Sequence, residues 1–235
     1  MDSIFNYDLV KLAKDLKQEF ISNEPFPYLE IKNLFNEDVL SQAVEEIKDT
    51  QAKSRQYRDK NQIKDLVEGR VLIQSSPENI RKVFTALNSD YFTTFLRDIT
   101  DIPDLFPDDT FRGGGIHHIP QGGKLGIHID FSRPSWDNSV YRRANVLLYL
   151  NRDWQEEWGG HLELWDKSVR SGGQCIKKIS PEFNTLALFG TQKASWHGHP
   201  TPLQCPKDRA RQSFAAYYYS KHPSDDLQEH STVFN

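Results

Sequence analysis

Lys124-Leu125-Gly126-Ile127-His128-Ile129-Asp130-Phe131 decides the reading of this chain. Leu125, Ile127, Ile129 and Phe131 alternate with Gly126, His128 and Asp130, the period of a strand with two unlike faces. Short runs of the same character recur on either side. Candidate strands are Gly115–Ile119, Ala144–Leu150, His161–Trp165, Cys175–Ile179, Thr185–Phe189 and Ser213–Ser220. Turn signals separate several of them, at Gln121-Gly122-Gly123, Trp158-Gly159-Gly160 and Ser171-Gly172-Gly173. Many short strands at such spacing predict a sandwich or barrel from about Phe111 onward. Upstream the period changes. Leu9, Leu12, Ala13, Leu16 and Phe20 make one helical stripe, ended by Pro25 and Pro27. A short strand, Tyr28 to Ile31, follows, and Asn36 caps a second helix whose buried face runs from Val39 to Ile47. Ser76-Pro77 starts a third helix, and a fourth spans about Tyr91 to Asp98. The expected division is a helical support region over 1–110, a β core over 111–221 and a polar, loosely ordered tail over 222–235.

The chain has 235 residues, which suits one domain with its helical extension. Aromatic residues make up 12% and Met occurs once, a composition suited to packing on pleated surfaces. The net charge is −4, which excludes the excess positive charge of a nucleic-acid binder. One local exception is the basic stretch Lys53 to Lys64. It reads either as a solvated loop or as a mobile lid that meets an acidic substrate group. Only Cys175 and Cys205 are present, no signal peptide is evident and no segment is apolar enough to span a membrane. The expectation is a cytoplasmic, reduced protein with no membrane partner. Its composition suits a monomer and a symmetric dimer equally.

On a strand, residues i and i+2 share a face, so His128 and Asp130 converge without distorting the backbone. A third metal ligand must come from elsewhere, and His197 in Ser195-Trp196-His197-Gly198 is the obvious candidate. Two His and one carboxylate on one face of an octahedron leave three positions open, as in non-haem iron(II) oxygenases. His199, two residues on, competes for the same role. Arg211 then opens an aromatic run, Phe214 to Tyr219, that reads as a core strand. A guanidinium at the start of a buried strand needs an anion, and its planar fork suits a carboxylate. Ser213 points the same way. The bland alternative pairs Arg211 with one of the chain's own acidic residues.

With these residues in view, the chain resembles the prolyl 4-hydroxylase-like branch of the 2-oxoglutarate/iron(II) dioxygenases. That family shows His-x-Asp, a distal His well downstream and an Arg or Lys a short way beyond. Here the spacings are 69 residues from His128 to His197 and 14 from His197 to Arg211. Pro25-Phe26-Pro27-Tyr28 running into Ile31-Lys32-Asn33-Leu34-Phe35 is similar to the family's entry strand. Arg142 to Asn151, Trp154 and Gly159-Gly160-His161-Leu162-Glu163-Leu164 resemble its central strand, turn and returning strand. The resemblance implies a double-stranded β-helix, a distorted cupin-like jelly roll, with the helices packed on its major sheet. It implies Fe(II) on His128, Asp130 and His197, with His197 preferred over His199 because the Trp-His step matches relatives. It implies 2-oxoglutarate as cosubstrate, O2 as oxidant and ascorbate as a candidate auxiliary. Arg211, Tyr149 and Ser213 would take the distal carboxylate. Asn145, on the strand face of Tyr149, would be a pocket residue. His118, which shares parity with His128, would lie near the cosubstrate, and His117 would face away. The retained Asp130 favours hydroxylation over halogenation.

The family's substrates would be a prolyl residue in a protein, a free amino acid or a related metabolite. Loops choose among them. Candidates are Lys53–Lys64, Ser132–Asn138 with Arg133 and Trp136, and Trp154–Trp158. Two other classes share parts of the pattern. A cupin-type divalent-metal enzyme would use the metal set without Arg211, and a non-catalytic jelly-roll module would need neither.

Overall fold

A computed structural model describes residues 4–68, 75–191, 194–223 and 229–235. Helices α1 (Leu9–Ser22), α2 (Glu37–Glu46), α3 (Glu78–Leu87) and α4 (Asp90–Thr100) fall where the helical stripes predict. Their first turns are capped as their sequences allow. Asp8 Oδ1 accepts from Val10 and Lys11 N–H, Asn36 Oδ1 from Asp38 and Val39, and Ser89 Oγ from Phe92. Helix α3 starts on Pro77 and has no cap of its own. The Glu46 carboxylate at the end of α2 accepts from the Asn79 and Ile80 amides instead.

The strands are β1 (Tyr28–Lys32), β2 (Arg55–Arg58), β3 (Gln62–Glu68), β4 (Phe106–Pro107), β5 (Gly115–Pro120), β6 (Lys124–Ile129), β7 (Tyr141–Tyr149), β8 (Leu162–Trp165), β9 (Cys175–Ile179), β10 (Thr185–Gly190), β11 (Trp196–His199), β12 (Ala210–Ser220) and β13 (Val233–Phe234). They form one antiparallel sheet in the order β1-β10-β7-β12-β5-β3-β6-β11-β8-β9. It folds over on itself into a nearly closed, jelly-roll-like double-stranded β-helix. The β1-to-β5 half makes one wall, the β6-to-β9 half makes the other, and β3 joins them. Among the described residues no helix is long and apolar enough to cross a membrane.

The alternation of each strand divides its side chains between two environments. Val67, Ile116, Val146, Leu148, Leu186, Leu188, Phe214, Ala216 and Tyr218 pack outward against the four helices, in one core with Leu9, Phe20, Leu40, Val83, Phe92 and Leu96. The opposite residues point between the walls. At one end Tyr149, Leu162, Leu164, Ile179, Ala187 and Phe189 fill this space. At the other end it is open and polar.

Two segments differ from their sequence readings. The basic stretch is a β-hairpin, β2–β3, and β3 is an integral strand between β5 and β6. Its charged residues disguise a strand whose consecutive Leu66 and Val67 are both buried, one on each face. In the tail, Val233 and Phe234 pair with Ile129 and His128. The tail residues 224–228 lie outside the described residues.

Candidate active site

The site is built on β6 and β11, which lie side by side with His128 opposite His197. Gly198 permits this closeness, because a Cβ there would stand 2.7 Å from the Gly126 carbonyl oxygen of β6. His128 Nδ1 is 2.9 Å from the Gly126 carbonyl and His197 Nδ1 is 2.8 Å from the Ser195 carbonyl. A carbonyl only accepts, so each Nδ1 carries the proton and each Nε2 lone pair is free to bind a cation. Both Nε2 atoms turn to Asp130, at 3.5 Å from Oδ1 for His128 and 3.4 Å from Oδ2 for His197. One donor atom from each of the three residues lies within 4.8 Å of the others. The His197 imidazole, buried beside His128, is pushed down to about 4, which keeps it neutral and able to ligate. Phe234 stacks on His128 at 5.1 Å and Phe189 tilts against His197 at 4.7 Å, which restrains both rings.

Asp130 is held in turn. Its Oδ2 accepts from Asn145 Nδ2 at 2.7 Å and sits 3.0 Å from the Arg142 guanidinium, while Arg142 Nε donates to Asn145 Oδ1 at 2.7 Å. Burial opposes ionisation of Asp130, but Arg142 and the two imidazoles hold its carboxyl well below the usual range. Asn145 thus lines the cavity, as expected of a pocket residue, and orients the carboxylate. Arg142 escapes a simple reading by parity, since Asn145, Leu147 and Tyr149 occupy the inward face of β7. A register shift between β12 and β7, where Tyr218 and Tyr219 face Ala144 and Arg142, turns Arg142 inward as well.

Across the cavity, β12 carries Arg211 and Ser213. Arg211 is buried; its Nε donates to the Gly160 carbonyl at 2.6 Å and its Nη2 to the Tyr149 hydroxyl at 3.1 Å. Among the described residues no carboxylate lies within 4.0 Å of this guanidinium. The bland reading, in which Arg211 pairs with one of the chain's own acids, has no partner there. Gly160, at φ +77°, gives up its side chain so that its carbonyl can meet Arg211; a Cβ would stand 2.6 Å from Leu203 and 3.0 Å from Arg211. Ser213 Oγ is buried beside Arg211 with no hydrogen-bond partner.

His118 is a correction. It lies on the outer face of β5, 3.1 Å from Gln212 Nε2, in a surface groove with Asn151 and Arg209. His117 is the one that faces the cavity. The parity argument fails because β6 has a bulge at Gly126. His197 faces His128 and His199 faces Leu125, so two residues of β6, Gly126 and Ile127, lie opposite one of β11, Gly198, and the faces exchange. His199 also lines the cavity, but neither of its ring nitrogens has a partner and it lies outside the ligand triad. The proposed substrate loops fare differently. Arg133 is engaged by the Asn138 carbonyl, Tyr141 and Glu229, and Trp136 packs edge-on against Tyr219. Trp154 and Trp158 pack on each other in an outer cluster with Leu203 and Cys205. Lys64 of the hairpin points into the cavity.

These features fit comparisons with known proteins. Residues 114–219 match the model of the 2OG-Fe(II) oxygenase superfamily. No curated protein matches the sequence. Among solved structures, a prolyl-4-hydroxylase from Pseudomonas putida is similar over 91% of this chain and 100% of its own, at 15% identity and TM-score 0.59. A prolyl hydroxylase from Trichoplax adhaerens, in complex with a hypoxia inducible factor peptide, covers 91% of each chain at 14% identity and TM-score 0.61. HygX from Streptomyces hygroscopicus, with nickel, 2-oxoglutarate and hygromycin B bound, covers 88% of this chain and 92% of its own at 14% identity and TM-score 0.54. At such identities the likeness is one of fold.

Proposed function

We propose that this chain is a 2-oxoglutarate/iron(II) oxygenase and that it hydroxylates an unactivated C–H bond of a prolyl residue, a free amino acid or a related small metabolite, with succinate and CO2 as co-products. The observation that carries the cosubstrate is Arg211. A buried guanidinium without a carboxylate, beside an unpartnered Ser213 hydroxyl and the Tyr149 hydroxyl, is a receptor for one end of a dicarboxylate. Its burial disfavours the charge, which a bound carboxylate would compensate. The metal reading rests on the donor set. Two neutral imidazoles and one carboxylate on a single face suit Fe(II) with open positions.

In this reading His128, Asp130 and His197 hold the metal, and Arg211, Tyr149 and Ser213 hold the distal carboxylate of 2-oxoglutarate. Iron with 2-oxoglutarate and O2 supplies the oxidising power for C–H hydroxylation. Asn145 and Arg142 keep Asp130 ionised and aimed. Phe189, Phe234 and Leu162 make the metal's surroundings apolar and exclude water. The two thiols, Cys175 and Cys205, are free, which supports a reducing, cytoplasmic setting.

The test is anaerobic. Fe(II) and then 2-oxoglutarate are added to metal-free protein, and the weak visible charge-transfer band of a chelated keto acid is followed. The band is expected in the wild type, absent in Asp130→Ala and weakened in Arg211→Ala. Metal binding without a band would instead indicate a cupin-type metal enzyme, and no metal binding a non-catalytic module.

A further inference from the structure

The charges of the cavity do not balance, and the imbalance sits on a residue that neither the metal nor the cosubstrate uses. On β3, Val67 packs outward among the helices, so Leu66 and Lys64 face inward, and Leu66 pairs with the inward His117 of β5. Lys64 lines the same cavity as His128, Asp130, Arg142, Arg211 and Ser213. Its ammonium lies 5.4 Å over the ring of Tyr57, its cross-strand partner on β2. Tyr57 is half-buried on the outermost strand of the hairpin, so this contact sets the ammonium at the mouth of the cavity. Among the described residues no carboxylate is within 4.0 Å of it.

The cavity holds one carboxylate of its own, Asp130, and Arg142 is already paired with it. 2-Oxoglutarate brings two more: the distal one meets Arg211 and the proximal one meets the metal. Lys64 then remains a cation without a counter-ion. Burial pushes it down to about 8, with Arg142 and Arg211 acting the same way and Asp130 and Asp59 opposing them, so at neutral pH it is still an ammonium, partly stripped of its water. A desolvated cation at the mouth of a cavity favours an anionic ligand.

We propose that Lys64 is the substrate anchor: its ammonium receives a carboxylate carried by the substrate. Resting on the oxygenase reading above, this narrows the substrate class to a free amino acid or another small carboxylate, and away from a residue in the interior of a polypeptide. A mid-chain residue offers the ammonium only neutral amides.

The experiment uses the full chain loaded anaerobically with Fe(II) and saturating 2-oxoglutarate. The probes are the twenty free L-amino acids and the straight-chain monocarboxylates up to hexanoate, each beside its primary carboxamide. The readout is the perturbation of the charge-transfer band. At least one carboxylate is expected to perturb it, with its carboxamide needing about tenfold more or failing. Lys64→Met should leave the band itself in place and raise the half-saturating concentration of the active carboxylate about tenfold or more, whereas Lys64→Arg should stay within a few-fold of wild type. Loss of the band in Lys64→Met before any probe is added would mean that the lysine serves the cosubstrate, and would overturn the proposal. So would a panel in which no carboxylate acts, or in which carboxamides act equally well. A blocked, uncharged peptide that drives succinate formation equally in wild type and Lys64→Met would also sink it. Absence of the band in the wild type would remove the oxygenase reading itself, and the proposal with it.

Discussion

The two faces of strand β12 are solvents of opposite kind. Outward, Phe214, Ala216 and Tyr218 meet helices α3 and α4, and even the Tyr218 hydroxyl is satisfied, donating to the Leu87 carbonyl at 2.7 Å. Inward, Arg211 has no carboxylate among the described residues and Ser213 Oγ has no partner. One face is satisfied by folding; the other keeps polar groups that folding leaves unpaired. Stability and function are thus separated by a single-residue alternation, and destabilising charge is kept only on the side where a ligand can neutralise it.

This separation can be broken deliberately. The largest effect on folding is expected from Phe92→Ala on the outer side. Phe92 is fully buried among Phe5, Phe95 and Tyr218, and its truncation should cost about 3–5 kcal/mol in urea unfolding. Iron and 2-oxoglutarate affinities of the folded fraction should stay within a few-fold. A cost below about 1 kcal/mol would show that the helical layer is not the main core.

Arg211→Met reverses the pattern. Cosubstrate affinity, read by the anaerobic band, should fall about a hundredfold or more. The melting temperature of ligand-free protein should stay within about 3 °C of wild type or rise, because an uncompensated buried charge is removed. A larger fall would make Arg211 a structural residue.

Asn145→Ala should weaken iron binding about 10- to 100-fold, measured by competition with a chelator, because Asp130 loses its Nδ2 donor while Arg142 keeps it ionised. Unchanged affinity would leave the orientation of Asp130 to Arg142 alone.

The smallest effect concerns Lys64 and pH. Its folded pKa, about 8, lies below the ordinary 10.5. As pH rises from about 8 to 10.5 the folded chain releases this proton before the unfolded chain does, so the unfolded state binds more protons and stability increases. Wild type should therefore gain stability relative to Lys64→Met across that window, in ligand-free protein. Parallel profiles would mean that Lys64 is solvated and no part of the cavity.

Much of this was legible beforehand. The cap at Asn36 is local chemistry, and the structure bears it out. The strands from Gly115 onward follow from period-2 alternation with glycine turns, and all the expected ones appear with ends within three residues, β7 and β12 each starting three residues earlier than expected. The proximity of His128 and Asp130 also needed only that period. Two of the failures share one cause. His118 for His117 and the unread Arg142 arise from bulges, which exchange the faces of a strand and leave no mark in the pattern of apolar residues. The β2–β3 hairpin was hidden because only Leu66 and Val67 at its far end are fully buried and the rest of it is rich in Arg, Lys and Asp. Phe234 lies in a polar tail, and nothing local announces that it stacks on His128.

By itself, then, the sequence determined the kinds of element, the residue types available for a metal and a dicarboxylate, and the strand faces wherever the ladder is regular. The tertiary structure alone decided which imidazole enters the cavity, what holds Asp130, and that Lys64 from the N-terminal region meets residues from β6, β7 and β12. The reason is that strand pairing is a long-range choice. Local periodicity says which residues share a face, but only closure of the sheet says which faces meet, and each bulge resets the count.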